Sequence, residues 1–535
     1  MSPPSAPTRR RFLRALAGTG ASGLVASGLA GCVAADGTNS GDASRPTPRS
    51  PPSDSADVRT ALTAAPGEVQ PDTDATTENW LYDGEFPGPE LRASEGDVVE
   101  VELRNDLADG TTIHWHGLPV ANEMDGVPDV TQDPVGSGDS FTYRFRAEPA
   151  GTFFFHSHVG LQLDRGLLAP LVVEEDDPHV DYDREYTVVV DDYLDGEPRP
   201  LSELELGGGP MGGGPGGGPG GGPGGGPGGG GPGSGPGGGG PGGGPGGGGP
   251  GDGGGPGGGG PGGSDTGGDG RAGPMAFRRP QYAGLLIGGR LPDDPRTYPV
   301  REGERVRFRF VNASSATAFR VRAGGHPLTV THADGRPVEP VTVDSFVFGS
   351  GERYDAIVEA QNPGAWEIRA DAVNGDEPPA RARMTYEGAD ESASPQPPSS
   401  GGRELAYDDL QALSPLEGID GSPDRTFDLT LSGRRGGTEW LIDGQAYPDA
   451  DPLDVRQGDH VRVRMVNRSP VLHPMHLHGH FFQVGDAVKD TVVVPGHMSE
   501  VTFDFVADNP GDWLFHCHNL YHLESGMARV VRYVE

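Results

Sequence analysis

The sequence predicts an all-β protein built from three β-sandwich domains, and two observations carry that prediction. Three segments of identical internal spacing begin at a Gly-Asp or Gly-Glu pair, alternate apolar and polar residues, and end at an asparagine: 96–105, 303–312 and 458–467. Such alternation is typical of a strand with one face against a core. Helical periodicity is scarce, and repetition at such wide separation indicates repeated domains instead of a solenoid.

The repeated strands and the turns around them predict domains at 58–180, 181–388 and 400–535, with a linker at 389–399. Residues 207–274, inside the second domain, are mostly glycine with prolines every four to six positions. Because such a segment cannot bury a core and lacks the three-residue period of collagen, we interpret it as a disordered insertion.

The N-terminus predicts export. Residues 1–32 contain the pair Arg9-Arg10 and a short apolar stretch, as in a twin-arginine signal, and a Ser/Pro-rich spacer follows at 33–57. The box ending at Cys32 is similar to a lipoprotein cleavage site, although an ordinary signal that ends in cysteine would read the same. No apolar run approaches the ~20 residues that a membrane span requires. We therefore expect an extracellular or cell-surface protein that contacts the membrane only through a lipid on Cys32.

The charge excludes one class of partner. The chain has 78 Asp and Glu against 41 Lys and Arg, a net charge of −37. Nucleic-acid binding is excluded because it requires basic surface that neutralises phosphates. Lys489 is the only lysine. An acidic, lysine-poor surface favours a halophilic protein, and a GC-rich genome that replaces lysine codons is the alternative.

Histidine and cysteine carry the functional signal. Cys32 and Cys517 are the only cysteines, so no structural disulfide is expected. Ten of the 16 histidines fall into four short clusters: His114 and His116; His156 and His158; His473, His476 and His478; and His516, His518 and His522. Residues i and i+2 of a strand point to the same face, so each His-x-His is a pair of imidazoles on one face. Four such pairs are hard to explain by packing, since without metal they would leave many buried polar groups unsatisfied.

The last cluster joins two sites. His516 and His518 should project from one side of their strand and Cys517 from the other. His473, Cys517 and His522, with Met527 near by, form the two-imidazole, thiolate and thioether set of a blue-copper centre. The other eight imidazoles, four from each outer domain, would hold a second metal centre between those domains. Zinc is the alternative metal, but it ordinarily takes four ligands in a closed site and gives no reason to connect a thiolate to eight histidines.

On these motifs the sequence resembles the three-domain multicopper oxidases of the laccase-like group over nearly all of residues 75–535. The resemblance implies cupredoxin (Greek-key) sandwiches, a copper-free second domain and four coppers per chain. It assigns His473, Cys517, His522 and axial Met527 to the type 1 copper, and His114 and His476 to type 2. The type 3 pair takes the remaining six histidines of the pattern: His116, His156, His158, His478, His516 and His518.

The resemblance also implies the reaction. A reducing substrate gives single electrons to the type 1 site through His522, and four of them reduce O₂ to two waters at the other centre. Oxygen reduction consumes protons, for which Asp125 is the first candidate and Glu524 the second. Related enzymes often have a carboxylate directly after the equivalent of His522, where this chain has Leu523, and a solvated Glu524 is the alternative. His480 is expected to support the ligands by hydrogen bonding, and the remaining histidines to be surface or structural residues.

Two substrate hypotheses follow from this reading. The first is a laccase-like oxidase of phenols and aromatic amines. The second is a metallo-oxidase of Cu(I), Fe(II) or Mn(II) with a role in metal tolerance. Cuprous-ion oxidases often carry a methionine-rich insertion, whereas the insertion here has one methionine, Met211, and the chain only nine. That favours organic substrates.

Overall fold

The computed structural model describes residues 49–73, 76–204, 279–389, 393–434 and 436–535. The predicted signal, residues 33–48 of the spacer and the Gly/Pro-rich insertion lie outside the described residues. The all-β prediction is confirmed: the described chain folds into six sheets, two for each of three successive sandwiches. The exact domain boundaries stay predictions. No helix in the described ranges is long and apolar enough to cross a membrane.

The first sandwich contains eight strands, in the sheet orders β2-β1-β4-β6 and β3-β8-β7-β5. The strands are β1 (Val58–Val69), β2 (Thr77–Tyr82), β3 (Leu91–Ser94), β4 (Val98–Asn105), β5 (His114–His116), β6 (Ser140–Arg146), β7 (Gly151–His156) and β8 (Leu168–Glu174). Short 3₁₀ turns lie at Asn122–Met124 and Leu163–Arg165.

The second sandwich has eleven described strands, in the orders β10-β9-β12-β17-β14-β15 and β11-β19-β18-β13-β16. They are β9 (Arg184–Tyr193), β10 (Gly284–Ile287), β11 (Thr297–Val300), β12 (Arg305–Asn312), β13 (Phe319–Ala323), β14 (Leu328–Ala333), β15 (Arg336–Val343), β16 (Phe346–Phe348), β17 (Arg353–Glu359), β18 (Ala365–Ala372) and β19 (Ala380–Tyr386). A third 3₁₀ turn, Tyr407–Asp409, precedes the last sandwich.

The third sandwich has the orders β21-β20-β23-β28-β25-β26 and β22-β30-β29-β24-β27. Its elements are β20 (Arg425–Arg434), β21 (Glu439–Ile442), β22 (Leu453–Val455), β23 (His460–Asn467), β24 (His473–Leu477), β25 (Phe482–Val484), β26 (Ala487–Lys489), β27 (Thr491–Val494), β28 (Ser499–Val506), β29 (Asp512–Cys517), α1 (Leu520–Glu524) and β30 (Ala528–Tyr533).

The three repeated segments occupy the same place in each sandwich. They form β4, β12 and β23, and each pairs in parallel with the first strand of its sandwich. The closing asparagines, Asn105, Asn312 and Asn467, are buried, and each accepts a hydrogen bond from the backbone N–H two residues later. Each also donates its amide to two backbone carbonyls. The repeated sequence therefore encodes a repeated strand and the turn that ends it.

The core explains the alternation seen in the sequence. In β4 the apolar residues Val99, Val101 and Leu103 are fully buried, whereas the charged residues between them are not. Burying such side chains contributes roughly 1.5–3 kcal/mol each, which holds one face of the strand against the opposing sheet. The second and third sandwiches share one continuous core. The strands that carry histidine are anchored in these cores by Trp115 of β5, Phe155 of β7, Met475 of β24 and Phe515 of β29.

Candidate metal centres

The histidine pairs lie opposite one another in two strand pairs. In the first sandwich β5 runs antiparallel to β7, which places His114 opposite His156. In the third sandwich β24 runs antiparallel to β29, which places His476 opposite His516. The strand register therefore places the imidazoles of each sandwich next to one another on one patch of its surface.

Eight imidazoles from the two patches form one cluster, here called the histidine centre: His114, His116, His156, His158, His476, His478, His516 and His518. The rings of His114 and His478 stack with centroids 3.8 Å apart, and those of His116 and His476 do the same. Potential ligand atoms lie within 4.8 Å of one another in three groups: His114, His116 and His476; His116, His156 and His518; and His158, His478 and His516. Residues 516 and 518 thus reach the imidazoles of the first sandwich.

Some ring nitrogens of the histidine centre are hydrogen-bonded, and others are buried without a partner. Nδ1 of His114, His156 and His476 donates to a backbone carbonyl at 2.9–3.0 Å, and Nε2 of each is buried without a partner. His158 Nε2 and both nitrogens of His518 also have no partner. Burial and the neighbouring imidazoles lower the pKa of most of these rings, to about 3 for His156. Neutral rings with inward lone pairs fit metal ions, which supply the missing partners.

Two carboxylates support the histidine centre from behind. Asp125 Oδ2 lies 3.0 Å from His478 Nδ1, and Asp125 Oδ1 lies 3.1 Å from His114 Nδ1. Gly126 follows with φ of 78°, and a Cβ there would lie 1.8 Å from the Ile113 carbonyl oxygen, so only glycine allows this close approach. Asp490 Oδ1 lies 3.3 Å from His116 Nε2.

The second candidate site, here called the thiolate site, lies on the other side of β29. Cys517 Sγ is 3.6 Å from His473 Nδ1 and 3.5 Å from His522 Nδ1, and these two nitrogens are 3.1 Å apart. Ser469 Oγ, 2.9 Å from His473 Nε2, fixes that ring with Nδ1 toward the sulfur. Met527 is fully buried, and its carbonyl accepts the Cys517 N–H.

The electrostatics of the thiolate site also fit a bound cation. Burial raises the pKa of the Cys517 thiol and lowers the pKa of His473 to about 3. A protein without metal would therefore hold a neutral thiol between two neutral imidazoles. A metal cation stabilises the thiolate instead, so the donor set fits a copper ion.

The two sites are joined through one residue. Cys517 faces the thiolate site while His516 and His518 face the histidine centre, as strand alternation predicts. His516 Nδ1 also donates to the Cys517 carbonyl at 2.9 Å. Covalent and hydrogen-bonded paths therefore both connect the sulfur with the histidine centre.

A cavity of about 600 Å³ opens beside His522. Its wall is largely apolar, with Pro280, Ala316, Val347, Val373, Pro470, Val471, Leu472, Val493 and Pro495. The charged wall residues are paired: Arg320 with Glu404, and Arg279 with Glu377, which lies outside the wall, both at 2.5 Å. Glu404 is the only carboxylate in the described lining.

The structure separates the two candidate proton donors. Asp125 is fully buried against two rings of the histidine centre, whereas Glu524 ends α1 on the exposed surface. No hydrogen bond within the described ranges joins Glu524 to the histidine centre. His480 donates to the His478 carbonyl at 2.9 Å and contacts Tyr533 Oη at 2.6 Å, in the supporting position that its motif suggests.

The remaining histidines differ among themselves. His326, His332 and His460 are buried and hydrogen-bonded to Tyr386, Glu175 and Asp504, respectively. His179 is partly buried beside His332, and His497 is exposed. These positions are consistent with the expectation that the five histidines are surface or structural residues.

Sequence reasoning missed two groups of residues near these sites. Asp490, Thr491 and Arg353 contact the histidine centre or each other, and their grouping depends on contacts between sandwiches. Asp191 and Asp192 are buried, and the partly buried Asp164 accepts a hydrogen bond from the Tyr521 hydroxyl near by. The adjacent pair Asp191-Asp192 at the end of an apolar strand was the available signal for the second group.

Comparison with known proteins gives the family. Three family models described as multicopper oxidase match residues 63–178, 266–389 and 420–535. The multicopper oxidase MmcO of Mycobacterium tuberculosis is 34% identical to this chain, over 98% of this chain and 97% of its own length. The chain belongs to the multicopper oxidase family.

Two further comparisons extend this result. A copper resistance protein A homolog of Pseudomonas syringae pv. tomato is 27% identical, over 84% of this multicopper oxidase and 88% of its own length. The crystal structure of a laccase from Botrytis aclada shares the fold, with a TM-score of 0.66, 21% identity, and coverage of 89% of this chain and 88% of that one. The expected cupredoxin fold, the enzyme class and the copper cofactors are thereby confirmed. The multicopper oxidase uses copper at type 1, type 2 and type 3 sites, with O₂ and a reducing substrate.

Proposed function

We propose that this multicopper oxidase is laccase-like and oxidises phenols or aromatic amines. The observation that carries the proposal is the cavity beside His522. Its wall is mostly aliphatic, its charged residues are already paired, and its volume accommodates an aromatic ring. A free metal ion would instead need unpaired carboxylate or thioether groups in the wall.

We assign the copper ligands as follows. The thiolate site would hold the type 1 ion, with the buried Met527 as its fourth ligand, and His114 and His476 would hold the type 2 ion. Two three-histidine groups of the histidine centre would hold the type 3 pair: His116, His156 and His518 for one ion, and His158, His478 and His516 for the other. Inward nitrogens without partners support this assignment. When bound, these coppers supply one-electron transfer at the thiolate site and reduction of O₂ at the histidine centre.

The chain's own residues prepare both sites. His522 lines the cavity and packs against Trp440 with ring centroids 4.0 Å apart, so its ring is held between the cavity and Cys517. Cys517 continues covalently to His516 and His518. Asp125, fully buried at two outer ring nitrogens, is placed to hold or pass a proton at the edge of the histidine centre.

The alternative function is oxidation of Cu(I), Fe(II) or Mn(II). Asp164, Asp191 and Asp192 lie behind Tyr521, and burial together with their mutual repulsion raises the pKa of Asp164 and Asp191. Bound cations would compensate these charges, and the name of the Pseudomonas syringae relative refers to copper resistance. Asp164 accepts a hydrogen bond from the wall residue Tyr521, but none of the three carboxylates lies in the described cavity wall, which favours the organic substrate.

A wall substitution separates the two functions. Val373 lines the cavity and is 41% exposed, so Val373→Trp narrows the entrance without disturbing the core. We expect the KM for a methoxyphenol to rise roughly tenfold, the effect of losing about 1.4 kcal/mol of binding. Leu413→Trp is the matched control, because Leu413 is 39% exposed and outside the described wall.

The same preparations should be assayed with Cu(I), Fe(II) and Mn(II). The laccase-like proposal predicts that the methoxyphenol is the fastest saturable substrate of the parent enzyme. The metallo-oxidase function would replace the laccase-like proposal if a metal ion were turned over faster, with saturation. That turnover should be insensitive to Val373→Trp and lost in Asp164→Asn.

We also propose twin-arginine export and a lipid anchor on Cys32, which rest on the sequence of residues 1–32 alone. Cys32→Ala should move the enzyme from the membrane fraction to the medium. Replacing Arg9 and Arg10 by lysine should retain it inside the cell. An enzyme that fractionates identically in Cys32→Ala carries no such anchor.

A further inference from the structure

The only lysine of the chain is buried at the boundary between the second and third sandwiches. Lys489 ends β26 and is fully buried. Its Nζ lies 3.0 Å from Asp334 Oδ2 and 3.0 Å from Glu352 Oε1, and both carboxylates belong to the second sandwich. Tyr354 and Tyr407 place their rings 4.8 and 5.4 Å from the ammonium nitrogen. An ammonium group withdrawn from water in this way is costly unless it is fully paired, so the site is built around its charge.

Asp334 connects the lysine with the next two residues of the chain. Its Oδ2 also accepts the backbone N–H groups of Asp490 at 3.3 Å and Thr491 at 3.1 Å. Its Oδ1 accepts the backbone N–H of Arg353 at 2.9 Å. Asp334 has φ of 47°, a left-handed conformation that costs an ordinary residue free energy and that aspartate and asparagine tolerate best. The carboxylate is therefore held in one orientation from both sides.

Residues 490 and 491 are the ones that contact the histidine centre. The Asp490 carbonyl accepts from His476 Nδ1 at 2.9 Å, and its Oδ1 lies 3.3 Å from His116 Nε2. Thr491 Oγ1 lies 3.1 Å from His476 Nδ1 and 3.2 Å from His116 Nε2. These contacts fix two stacked rings, whose opposite nitrogens, His116 Nδ1 and His476 Nε2, have no partner and face the centre.

Arg353 completes the arrangement from the second sandwich. Its guanidinium donates to both oxygens of Asp490, each at 2.7 Å, in the two-point geometry that fixes a carboxylate. The pair lowers the pKa of Asp490. Two cations, Lys489 and Arg353, thus face three carboxylates, Asp334, Glu352 and Asp490, in a region without solvent. Removing one cation leaves three buried carboxylates against one cation.

We propose that Lys489 is a positioning residue of the histidine centre: through Asp334 it fixes the backbone of residues 490–491, which in turn orients His116 and His476 for copper. The inference rests on the ligand assignment proposed above. It gives the copper-free second sandwich a role in the oxygen-reducing site, because Asp334, Glu352 and Arg353 all belong to it. Lys489 does not touch the centre itself and acts only through the residues between.

Four single variants of the full-length, copper-loaded enzyme test this role. Lys489→Met removes the charge but keeps the approximate length, and Lys489→Arg restores a cation that can donate to both carboxylates. Asp334→Asn keeps the shape and tolerates the left-handed backbone, but loses the charge and one of the two oxygens that accept backbone N–H groups. Glu352→Gln is the matched control, because it removes the charge of the other carboxylate that faces Lys489. The hydrogen bonds of Glu352 involve Gly349 and Tyr407 and do not reach residues 490–491.

Three quantities are measured. The first is the rate at which a chelator removes type 2 copper, monitored by paramagnetic resonance. The others are the blue absorption of the type 1 site and the unfolding temperature. We expect Lys489→Met and Asp334→Asn to release type 2 copper about 10- to 100-fold faster, the usual effect of removing support behind a metal ligand. The blue absorption should persist in both variants. Lys489→Arg and Glu352→Gln should release copper at nearly the parental rate.

The outcomes distinguish this role from a merely structural one. Parental release in Asp334→Asn overturns the proposal, and so does equal acceleration in Glu352→Gln, since then only the lost charge matters. If both copper signals are lost together and the unfolding temperature falls with them, the ion pair is only structural. That result also overturns the proposal. If Lys489→Met does not fold, the pair Asp334→Asn and Glu352→Gln decides. Absence of a type 2 signal from the parent enzyme would contradict the ligand assignment itself. That result can therefore be distinguished from a failure of the role proposed for Lys489.

Discussion

The thiolate site and the histidine centre lie on opposite sides of one strand, yet their surroundings differ. The thiolate site has three close donors and a neighbouring cavity of about 600 Å³ lined by His522. The histidine centre has eight imidazoles, all buried or nearly so, with Asp125 and Asp490 behind the rings. One region borders an open cavity, whereas the other is enclosed and holds its rings in fixed orientations.

This difference shows how one strand serves two kinds of chemistry. Under the proposed function, electrons enter at His522, which lines the largely apolar cavity. Reduction of O₂ needs several metal ions held close together and protons delivered to them, which carboxylates at the outer ring nitrogens support. Cys517, with its histidine neighbours, is the shortest connection between the two.

The largest effect is expected for the residue that joins the regions. Cys517→Ser should abolish the blue absorption and reduce turnover to background, because the hydroxyl lacks the soft thiolate donor that a type 1 copper requires. The histidine centre should keep its metal, since its ligands lie on the other face of the strand. Copper content and paramagnetic resonance test this. Loss of every copper from the variant would show that the sites are not independent.

A smaller effect, confined to the histidine centre, is expected for Asp125. Asp125→Asn should slow reoxidation by O₂ roughly 100-fold, the lower end of what a positioned proton donor contributes, and leave the blue absorption unchanged. Stopped-flow reoxidation of the reduced enzyme is the measurement.

Glu524→Gln provides the comparison with Asp125. Because Glu524 is exposed at the end of α1, we expect the Glu524→Gln variant to slow reoxidation less than Asp125→Asn does. Unchanged reoxidation in Asp125→Asn would remove Asp125 from the reaction, and a larger effect of Glu524→Gln would reverse the two roles.

Much of this comparison could be predicted from the sequence. Strand alternation alone places Cys517 opposite His516 and His518, because side chains of neighbouring strand residues point to opposite faces. The repeated Gly-Asp and asparagine positions mark the same strand in each sandwich, since local hydrogen bonds at Asn105, Asn312 and Asn467 end it.

The residues behind the ligands could not be predicted in this way. Lys489 was visible as the only lysine, but its partners Asp334 and Glu352 lie more than 130 positions away in another sandwich. Likewise, the contact of Asp490 with Arg353 depends on how two sandwiches pack, which no local pattern encodes. The cavity wall combines segments of two sandwiches for the same reason.

The pH dependence of the copper-free protein concerns the burial of the imidazoles in both regions. Burial lowers the pKa of His156 and His473 to about 3, well below the ~6.5 of an unfolded chain. Between these values the unfolded chain binds more protons than the folded one, so the free energy of unfolding decreases as the pH falls below about 6.5, by up to about 1.4 kcal/mol per pH unit for each such histidine.

Denaturant titrations of the copper-free enzyme at several pH values measure that slope. His473→Asn should reduce it by up to one proton, which leaves the larger contribution of the histidine centre. A free energy of unfolding that does not change with pH in the copper-free protein would mean that its imidazoles are hydrated and not buried as the structure places them.

Copper content, measured with the visible and near-ultraviolet spectrum of one purified sample, tests the central claim most directly. The ligand assignment predicts four coppers per chain and an intense blue absorption that Cys517→Ser removes. A colourless protein that retains zinc after copper loading would contradict it.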